Sequence, residues 1–176
     1  MRIQADDRVP FAREIVYRTY RDRLVDLVPY LPNVASIEVR DRADEGDVVR
    51  FVNAWRAKDE IPQVARSILR PEMLSWLDHA TWRASEWTTE WRIEMGSFAD
   101  AVDCRGKNEF VEDRGATLIR IRGDLHIDLR LVRGVPRILA GTVGPVVEKF
   151  VVAMITPNLS KVSRGIEKLL RAEGSG

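Results

Sequence analysis

Four polar side chains in the middle of the chain lie in stretches where apolar and polar residues alternate, which predicts β-strands. Each of the four falls on the same face of its predicted strand as the apolar residues. They are Asn53, Asp78, Thr89 and Asn108. A buried polar group without a hydrogen bond costs roughly 1–3 kcal/mol, so each of the four requires a partner. Backbone groups and solvent at the strand ends could supply it, or a bound ligand could, and the sequence leaves both interpretations open.

Asp78 is the carboxyl group of this set. Burial disfavours the charged form of a carboxyl, so a deeply buried and unpaired Asp78 would have a raised pKa and could act as a general acid or base. Asp78 is therefore the catalytic candidate, and the sequence assigns no other catalytic residue.

The other reactive side chains are poorly arranged for catalysis or for metal binding. The only histidines, His79 and His126, fall at positions of their predicted strands that face outward, where contact with solvent is expected. Cys104 lies on an inner row without a histidine on its face, which predicts a buried, inert thiol. The run Gly141-Thr142-Val143-Gly144 lacks the Lys-Ser/Thr pair that follows in a phosphate-binding loop. We therefore predict no metal site and no cofactor.

Strands would position these side chains, because the hydrophobic period changes from about 3.6 to 2 after the first fifth of the chain. Alternation predicts a meander of about six strands, at 34–40, 48–57, 74–82, 87–95, 102–110 and 119–129. The inner row of the first of these would be Ala35, Ile37 and Val39. Gly123, on the inner row of the last, predicts a bend or a bulge.

Helical spacing frames the meander on both sides. After an opening strand at 2–7, residues 11–30 predict two short helices or one bent helix. Residues 61–69 carry their apolar side chains on one helical face and predict an extra helix. From Val143 to Leu170 an apolar stripe at three-and-four spacing predicts one long terminal helix, which must lie on a broad surface.

The composition indicates one globular domain, which we place at 1–173 with a frayed tail at 174–176. The chain has 176 residues, is 45% hydrophobic and carries 28 basic against 27 acidic residues, a balance that argues against nucleic-acid binding. A single cysteine excludes an internal disulfide. Neither a signal peptide nor a run of ~18 apolar residues is present. We expect a soluble, cytoplasmic protein without an integral membrane segment.

In the order of its elements, essentially the whole chain resembles the START-like, or helix-grip, superfamily (SRPBCC). The resemblance rests on the strand and helix start at Ile3 to Pro10, the exit at Val28 to Val34, and the helix at Gly144 to Leu170. The superfamily includes lipid-transfer domains, plant allergens, and bacterial polyketide cyclases and aromatases. The resemblance implies an α+β fold in which a curved antiparallel sheet of about six to seven strands wraps a long C-terminal helix, with an apolar cavity between them.

The resemblance also implies binding or transport of a hydrophobic small molecule or lipid in that cavity. Tryptophan rows on the predicted concave face agree with it, because pockets are typically apolar with a few placed polar groups. An enzyme of the polyketide cyclase or aromatase kind, with Asp78 as its acid or base, is the alternative. The predicted ligand-contacting residues are Phe51, Asn53, Trp55, Trp76, Asp78, Trp82, Thr89, Trp91, Asn108, Val147, Phe150 and Met154.

The helix at 61–69 departs from the simplest members of the superfamily. It is predicted to cover the cavity mouth as a lid, or to make a peripheral membrane contact, and the sequence does not choose between the two. Nor does it assign an oligomeric state.

Overall fold

A computed structural model describes residues 1–58, 74–96, 100–128 and 161–174. The extra helix predicted at 61–69, the glycine-containing run at 141–144 and the first part of the terminal helix lie outside the described residues. So do three of the predicted ligand-contacting residues, which are Val147, Phe150 and Met154.

The described residues form a curved, seven-stranded antiparallel sheet, as predicted. The strands are β1 (Arg2–Val9), β2 (Val34–Glu45), β3 (Val48–Ala57), β4 (Ser75–Arg83), β5 (Thr88–Glu94), β6 (Val102–Asp113) and β7 (Ala116–Ile127). Their order across the sheet is β1-β7-β6-β5-β4-β3-β2. Buried and exposed residues alternate along β3 and β5, so one face of the sheet is covered and the other faces solvent.

The inner row predicted for β2 is interrupted by a bulge and is only partly buried. Ile37 is buried, but Ala35 and Val39 are exposed, Val39 by 42%. The pairing of β2 with β3 shifts register between Val34 and Ser36 and again between Val39 and Asp41. The first shift leaves Ala35 as the extra residue of a bulge, whereas Ile37 and Val39 lie opposite the buried Trp55 and Asn53 and keep the predicted face. The alternation therefore missed the bulge at Ala35, and Val39 is exposed although it lies on the inner row of this edge strand.

Two short helices follow β1, as predicted: α1 (Arg13–Asp22) and a 3₁₀-helix (Leu24–Tyr30). The covered face of α1 includes Tyr17 and Tyr20. The Tyr17 ring meets the rings of Trp82 and Phe110 edge to face, with centroids 5.2 and 5.1 Å apart. These contacts dock α1 against the covered face of the sheet.

Residues 161–172 form a helix, here called the terminal helix, that packs into the same core. Val162, Ile166 and Leu170 are buried in it. Where the terminal helix passes the 3₁₀-helix, a Cβ at Gly165 would lie 3.5 Å from Leu31 Cδ2, so the two helices are in close contact. No helix among the described residues is long and apolar enough to cross a membrane.

Candidate functional site

A cavity of about 50 Å³ lies between the covered face of the sheet and the helices. Strands β3 to β6 supply most of its lining, α1 supplies Tyr20, and the terminal helix supplies Val162. The described lining residues are Tyr20, Trp55, Trp76, Asp78, Ala80, Trp82, Thr89, Trp91, Ile93, Asn108 and Val162. The lining is mostly aromatic and aliphatic, with a few polar groups placed among the rings.

The structure brings together most of the predicted ligand-contacting residues that it describes. Those that line the cavity are Trp55, Trp76, Asp78, Trp82, Thr89, Trp91 and Asn108. Phe51 and Asn53 are buried on the same face but do not line it. The Phe51 ring instead lies under the Arg42 guanidinium, whose central carbon is 5.0 Å from the ring centroid, and Asn53 reaches Asp78.

Two pairs of aromatic rings hold the walls in place. Trp55 and Trp76 are directly opposed on β3 and β4, and their rings stack with centroids 5.7 Å apart and planes inclined by 17°. Tyr20 meets Trp82 edge to face at 5.2 Å. Such pairs contribute roughly 0.5–1.5 kcal/mol each beyond the apolar area that they bury. They fix the rings that face the cavity.

Trp91 occupies its position because two glycines on neighbouring strands leave room for its ring. Gly106 is paired with Trp91 on one side and with Gly123 on the other. A Cβ at Gly123 would lie 2.7 Å from Arg105 O and 2.8 Å from Trp91 Cη2. The pairing of β6 with β7 runs through Gly123 without a register shift, so the bulge considered from the sequence is absent there. The indole N–H of Trp91 donates to Asn108 Oδ1 at 2.9 Å.

Asp78 lies in the centre of β4 with its carboxyl group at the cavity. It accepts a hydrogen bond from Asn53 Nδ2 at 3.3 Å. Although Asp78 keeps a partly exposed surface, burial dominates its electrostatics and raises its pKa to about 6. The Asn53 hydrogen bond and the charge of His79 oppose that rise only in part. The Trp55 indole N–H acts in the same direction, without reaching a hydrogen bond of ordinary geometry.

Tyr20 and Asn108 form a second polar group in the cavity. Burial raises the pKa of the Tyr20 phenol above its usual range, and the negative charge of Asp78 raises it further. The side-chain amide of Asn108 opposes that shift, but its Nδ2 makes no hydrogen bond of ordinary geometry within the part of the chain that the structure describes. The phenol is therefore a neutral hydroxyl that a ligand could meet.

The sequence reasoning missed four lining residues, which are Tyr20, Ala80, Ile93 and Val162. Ala80 and Ile93 lie on the strand faces that the alternation of apolar and polar residues predicted to be covered, so the sequence pattern could have identified them. Tyr20 and Val162 lie on apolar helix stripes. Helical periodicity identifies such a stripe but does not say which of its residues meets a gap in the core.

The structure also shows where the cysteine and the two histidines lie. Cys104 is buried and unpaired, and burial raises the pKa of its thiol to about 12. His79 faces outward, where its Nε2 lies 3.1 Å from Glu94 Oε2. His126 is exposed. The described residues contain no cluster of three or more side chains suited to a metal ion.

A larger groove, of about 660 Å³, crosses the outer face of the sheet, but it is open and charged. Its side chains are engaged with one another and with neighbouring strands. Arg122, for example, lies 2.7 Å from Asp6 across β7 and β1. Such exposed pairs are typical of a solvated sheet face, so the inner cavity is the candidate functional site.

The comparisons with known proteins agree with this geometry. No protein-family model matches the chain, and no curated protein matches its sequence. Among solved structures, TTHA0849 from Thermus thermophilus superimposes with a TM-score of 0.66 at 22% identity, covering 98% of this chain and 99% of that one. The Zhui aromatase/cyclase from Streptomyces sp. R1128 gives 0.61 at 16% identity, covering 99% and 98%.

Norcoclaurine synthase from Thalictrum flavum gives a TM-score of 0.60 at 13% identity, over 97% of this chain and 86% of that one. At these identities the likeness establishes the fold. The chain has the helix-grip fold, as predicted from the order of its elements.

Proposed function

We propose that this helix-grip protein binds a hydrophobic small molecule in the cavity between its sheet and its terminal helix. The observation that carries the proposal is the lining itself. Four tryptophans and one tyrosine surround Asp78, Thr89 and Asn108, a combination of apolar bulk and a few placed polar groups that is typical of ligand sites.

Unpartnered polar atoms in and beside the cavity support ligand binding over a merely filled core. Within the described residues, Asn53 Oδ1, Trp55 Nε1 and Asn108 Nδ2 are buried and make no hydrogen bond of ordinary geometry. Native cores leave few such atoms. A ligand with its own polar group would satisfy some of them, and the surrounding rings would cover its apolar part.

The size of the cavity indicates how a ligand would enter. Sites for drug-sized molecules are roughly 300–1,000 Å³, whereas this cavity is about 50 Å³. Binding of such a ligand therefore requires the cavity to widen. Among the described lining residues, Tyr20 and Val162 come from helices, so a small outward shift of α1 or of the terminal helix enlarges the cavity without breaking the sheet.

Solved structures of the same fold give the proposal its context. They include proteins named as an aromatase/cyclase and as a norcoclaurine synthase, both of which act on small organic molecules by name. We carry over from these names only that the fold is compatible with chemistry on small organic molecules, and not a particular substrate.

The proposal is tested with Nile red, a neutral apolar dye whose fluorescence rises in a dry site. Ala80 faces the cavity, whereas Ala54 lies on the opposite face of the neighbouring strand. Ala80→Leu therefore fills the cavity, and Ala54→Leu adds the same atoms outside it. We expect saturable dye binding by the wild type and by Ala54→Leu, and at least tenfold weaker binding by Ala80→Leu. Equal binding by both variants, with near-ultraviolet circular dichroism unchanged, would place the dye elsewhere and contradict the proposal.

One observation favours an enzyme as the second candidate function. Asp78 has a pKa of about 6 in an apolar cavity, and the neutral phenol of Tyr20 lines the same cavity. A carboxyl group tuned toward neutral pH is suited to general acid–base chemistry of the cyclase or dehydratase kind.

Nitrobenzisoxazole tests this candidate, since its ring opens when a base removes one carbon-bound proton. We expect turnover that rises with pH through about 6, as Asp78 ionises. Asp78→Asn should lose that turnover and retain Nile red binding. If the variant and the wild type turn over the probe equally, Asp78 is not acting as a base, and simple ligand binding remains.

A further inference from the structure

Among the described lining residues, Asp78 supplies the charge that a purely apolar ligand would leave unpaired. Within the described residues, its carboxyl group accepts one hydrogen bond of ordinary geometry, from Asn53 Nδ2 at 3.3 Å. An apolar ligand would exclude water from that carboxyl and increase the free-energy cost of its charge. A ligand group that pairs with the carboxylate would lower the same cost.

The charges around the cavity favour a positive group at this position. Among the described lining residues Asp78 is the charged side chain, and none is a lysine or an arginine. His79, whose charge acts on Asp78, points to the outer face, and its Nε2 lies 3.1 Å from Glu94 Oε2. A ligand carboxylate would meet the Asp78 carboxylate without a neutralising partner from these residues, which disfavours fatty acids and other anions.

The aromatic lining acts in the same direction. Indole and phenol rings carry a negative face and attract a cation within about 6 Å of the ring centroid, most strongly when water is excluded. Trp55, Trp76, Trp82, Trp91 and Tyr20 all line this cavity. Because the cavity is only about 50 Å³, a cation inside it lies close to several of these rings.

Resting on the proposed function, we propose that the preferred ligand is an amine with an aromatic or aliphatic body, whose ammonium group pairs with the Asp78 carboxylate while its hydrocarbon part lies against the tryptophans. An ammonium group has three donors and no acceptor. The Asp78 carboxylate and the unpartnered Asn53 Oδ1 beside it are acceptors of the kind it requires.

Three ligands with the same ring and linker separate charge from hydrophobicity. They are naphthylethylamine, naphthylethanol and naphthylpropionic acid, measured by isothermal titration calorimetry at about pH 8, where Asp78 and the acid are ionised and the amine is protonated. We expect the amine to bind at least tenfold more tightly than the alcohol, and the acid to bind most weakly of the three.

Asp78→Asn provides the matched variant. It keeps the shape of the side chain and removes its charge, so the amine and the alcohol should bind the variant with affinities within about threefold of each other. Near-ultraviolet circular dichroism like that of the wild type, together with cooperative urea unfolding at the same pH, shows that the variant is folded.

The outcomes distinguish this inference from the proposed function. If the wild type binds the alcohol or the acid as tightly as the amine, or if Asp78→Asn keeps a tenfold preference for the amine, the inference is overturned and ligand binding in the cavity stands. If none of the three ligands binds, the inference and the proposed function both fail.

Discussion

Asp78 lies in an aromatic cavity, where Asn53 donates a hydrogen bond to it and burial raises its pKa to about 6. An ionised carboxyl in this position raises the free energy of the folded protein. The protein would be more stable with an uncharged residue such as alanine, leucine or asparagine at position 78. A stability cost concentrated at one residue that faces a cavity is the pattern expected of a functional group.

That cost predicts how stability depends on pH. The folded protein binds the Asp78 proton more tightly than the unfolded chain, whose aspartate pKa is near 3.8. The contribution of Asp78 to the free energy of unfolding is therefore complete below about pH 4 and is lost as the pH rises to about 6. Asp78→Asn has no proton to lose, so its stability relative to the wild type should rise across this range, by up to about 3 kcal/mol for the two pH units involved.

Urea unfolding of the two proteins at several pH values measures this difference. Among the described residues, the titratable groups that interact with Asp78 are His79 on the same strand, Tyr20 on α1 and Cys104 on β6. All three are present in both proteins, so the difference isolates Asp78. A stability difference that stays constant between about pH 4 and pH 7 would mean that the carboxyl is not desolvated in the folded state.

At the scale of elements, the strands were predictable because covered and solvent-facing side chains alternate along most of them. Six strands of the meander and both short helices lie within a few residues of their predicted bounds. The failure at β2 has a local cause. Edge pairing tolerates extra residues, and a bulge takes Ala35 out of the predicted inner row, while Val39 lies opposite Asn53 and is exposed at the edge of the sheet.

The sequence also did not predict why residue 123 is a glycine, because the side chain that requires it, Trp91, lies two strands away in the sheet. The side chain of Trp91 lies across β6 and β7, over two paired glycines. Sequence alternation marks Gly123 as inward but cannot show that a tryptophan on β5 needs the space.

Gly123→Ala should therefore be destabilising, whereas the same change at Gly96 should not. The new Cβ would lie 2.7 Å from Arg105 O and 2.8 Å from Trp91 Cη2, but at Gly96 it would meet nothing within 4 Å. Displacing Trp91 also breaks its 2.9 Å hydrogen bond to Asn108. We expect Gly123→Ala to lower the free energy of unfolding by roughly 1–3 kcal/mol and to weaken Nile red binding. Equal stability of the two variants would show that Trp91 does not depend on the glycine pair.

For the whole molecule, the sequence predicted the sheet, its covered face and most of the described cavity lining. It could do so because the inward-facing residues of four neighbouring strands, β3 to β6, together form one surface. It could not predict the gap left above that surface. The gap depends on where α1 and the terminal helix come to rest, which is set by contacts such as Tyr20 with Trp82 and Gly165 with Leu31. These contacts join residues that are distant in sequence, and no local pattern encodes them.

The five tryptophans of the chain allow the central claim, that this cavity binds a hydrophobic small molecule, to be tested directly. Trp55, Trp76, Trp82 and Trp91 line the cavity, whereas Trp87 lies in the turn before β5, with the Arg13 guanidinium over its ring. The measurement is a titration with naphthylethanol, followed by the nuclear magnetic resonance signals of the five indole N–H groups. We predict saturable shifts of the four lining tryptophans with Trp87 nearly unchanged. Shifts of Trp87 alone, or no saturable shift of any of the four, would contradict ligand binding in the cavity.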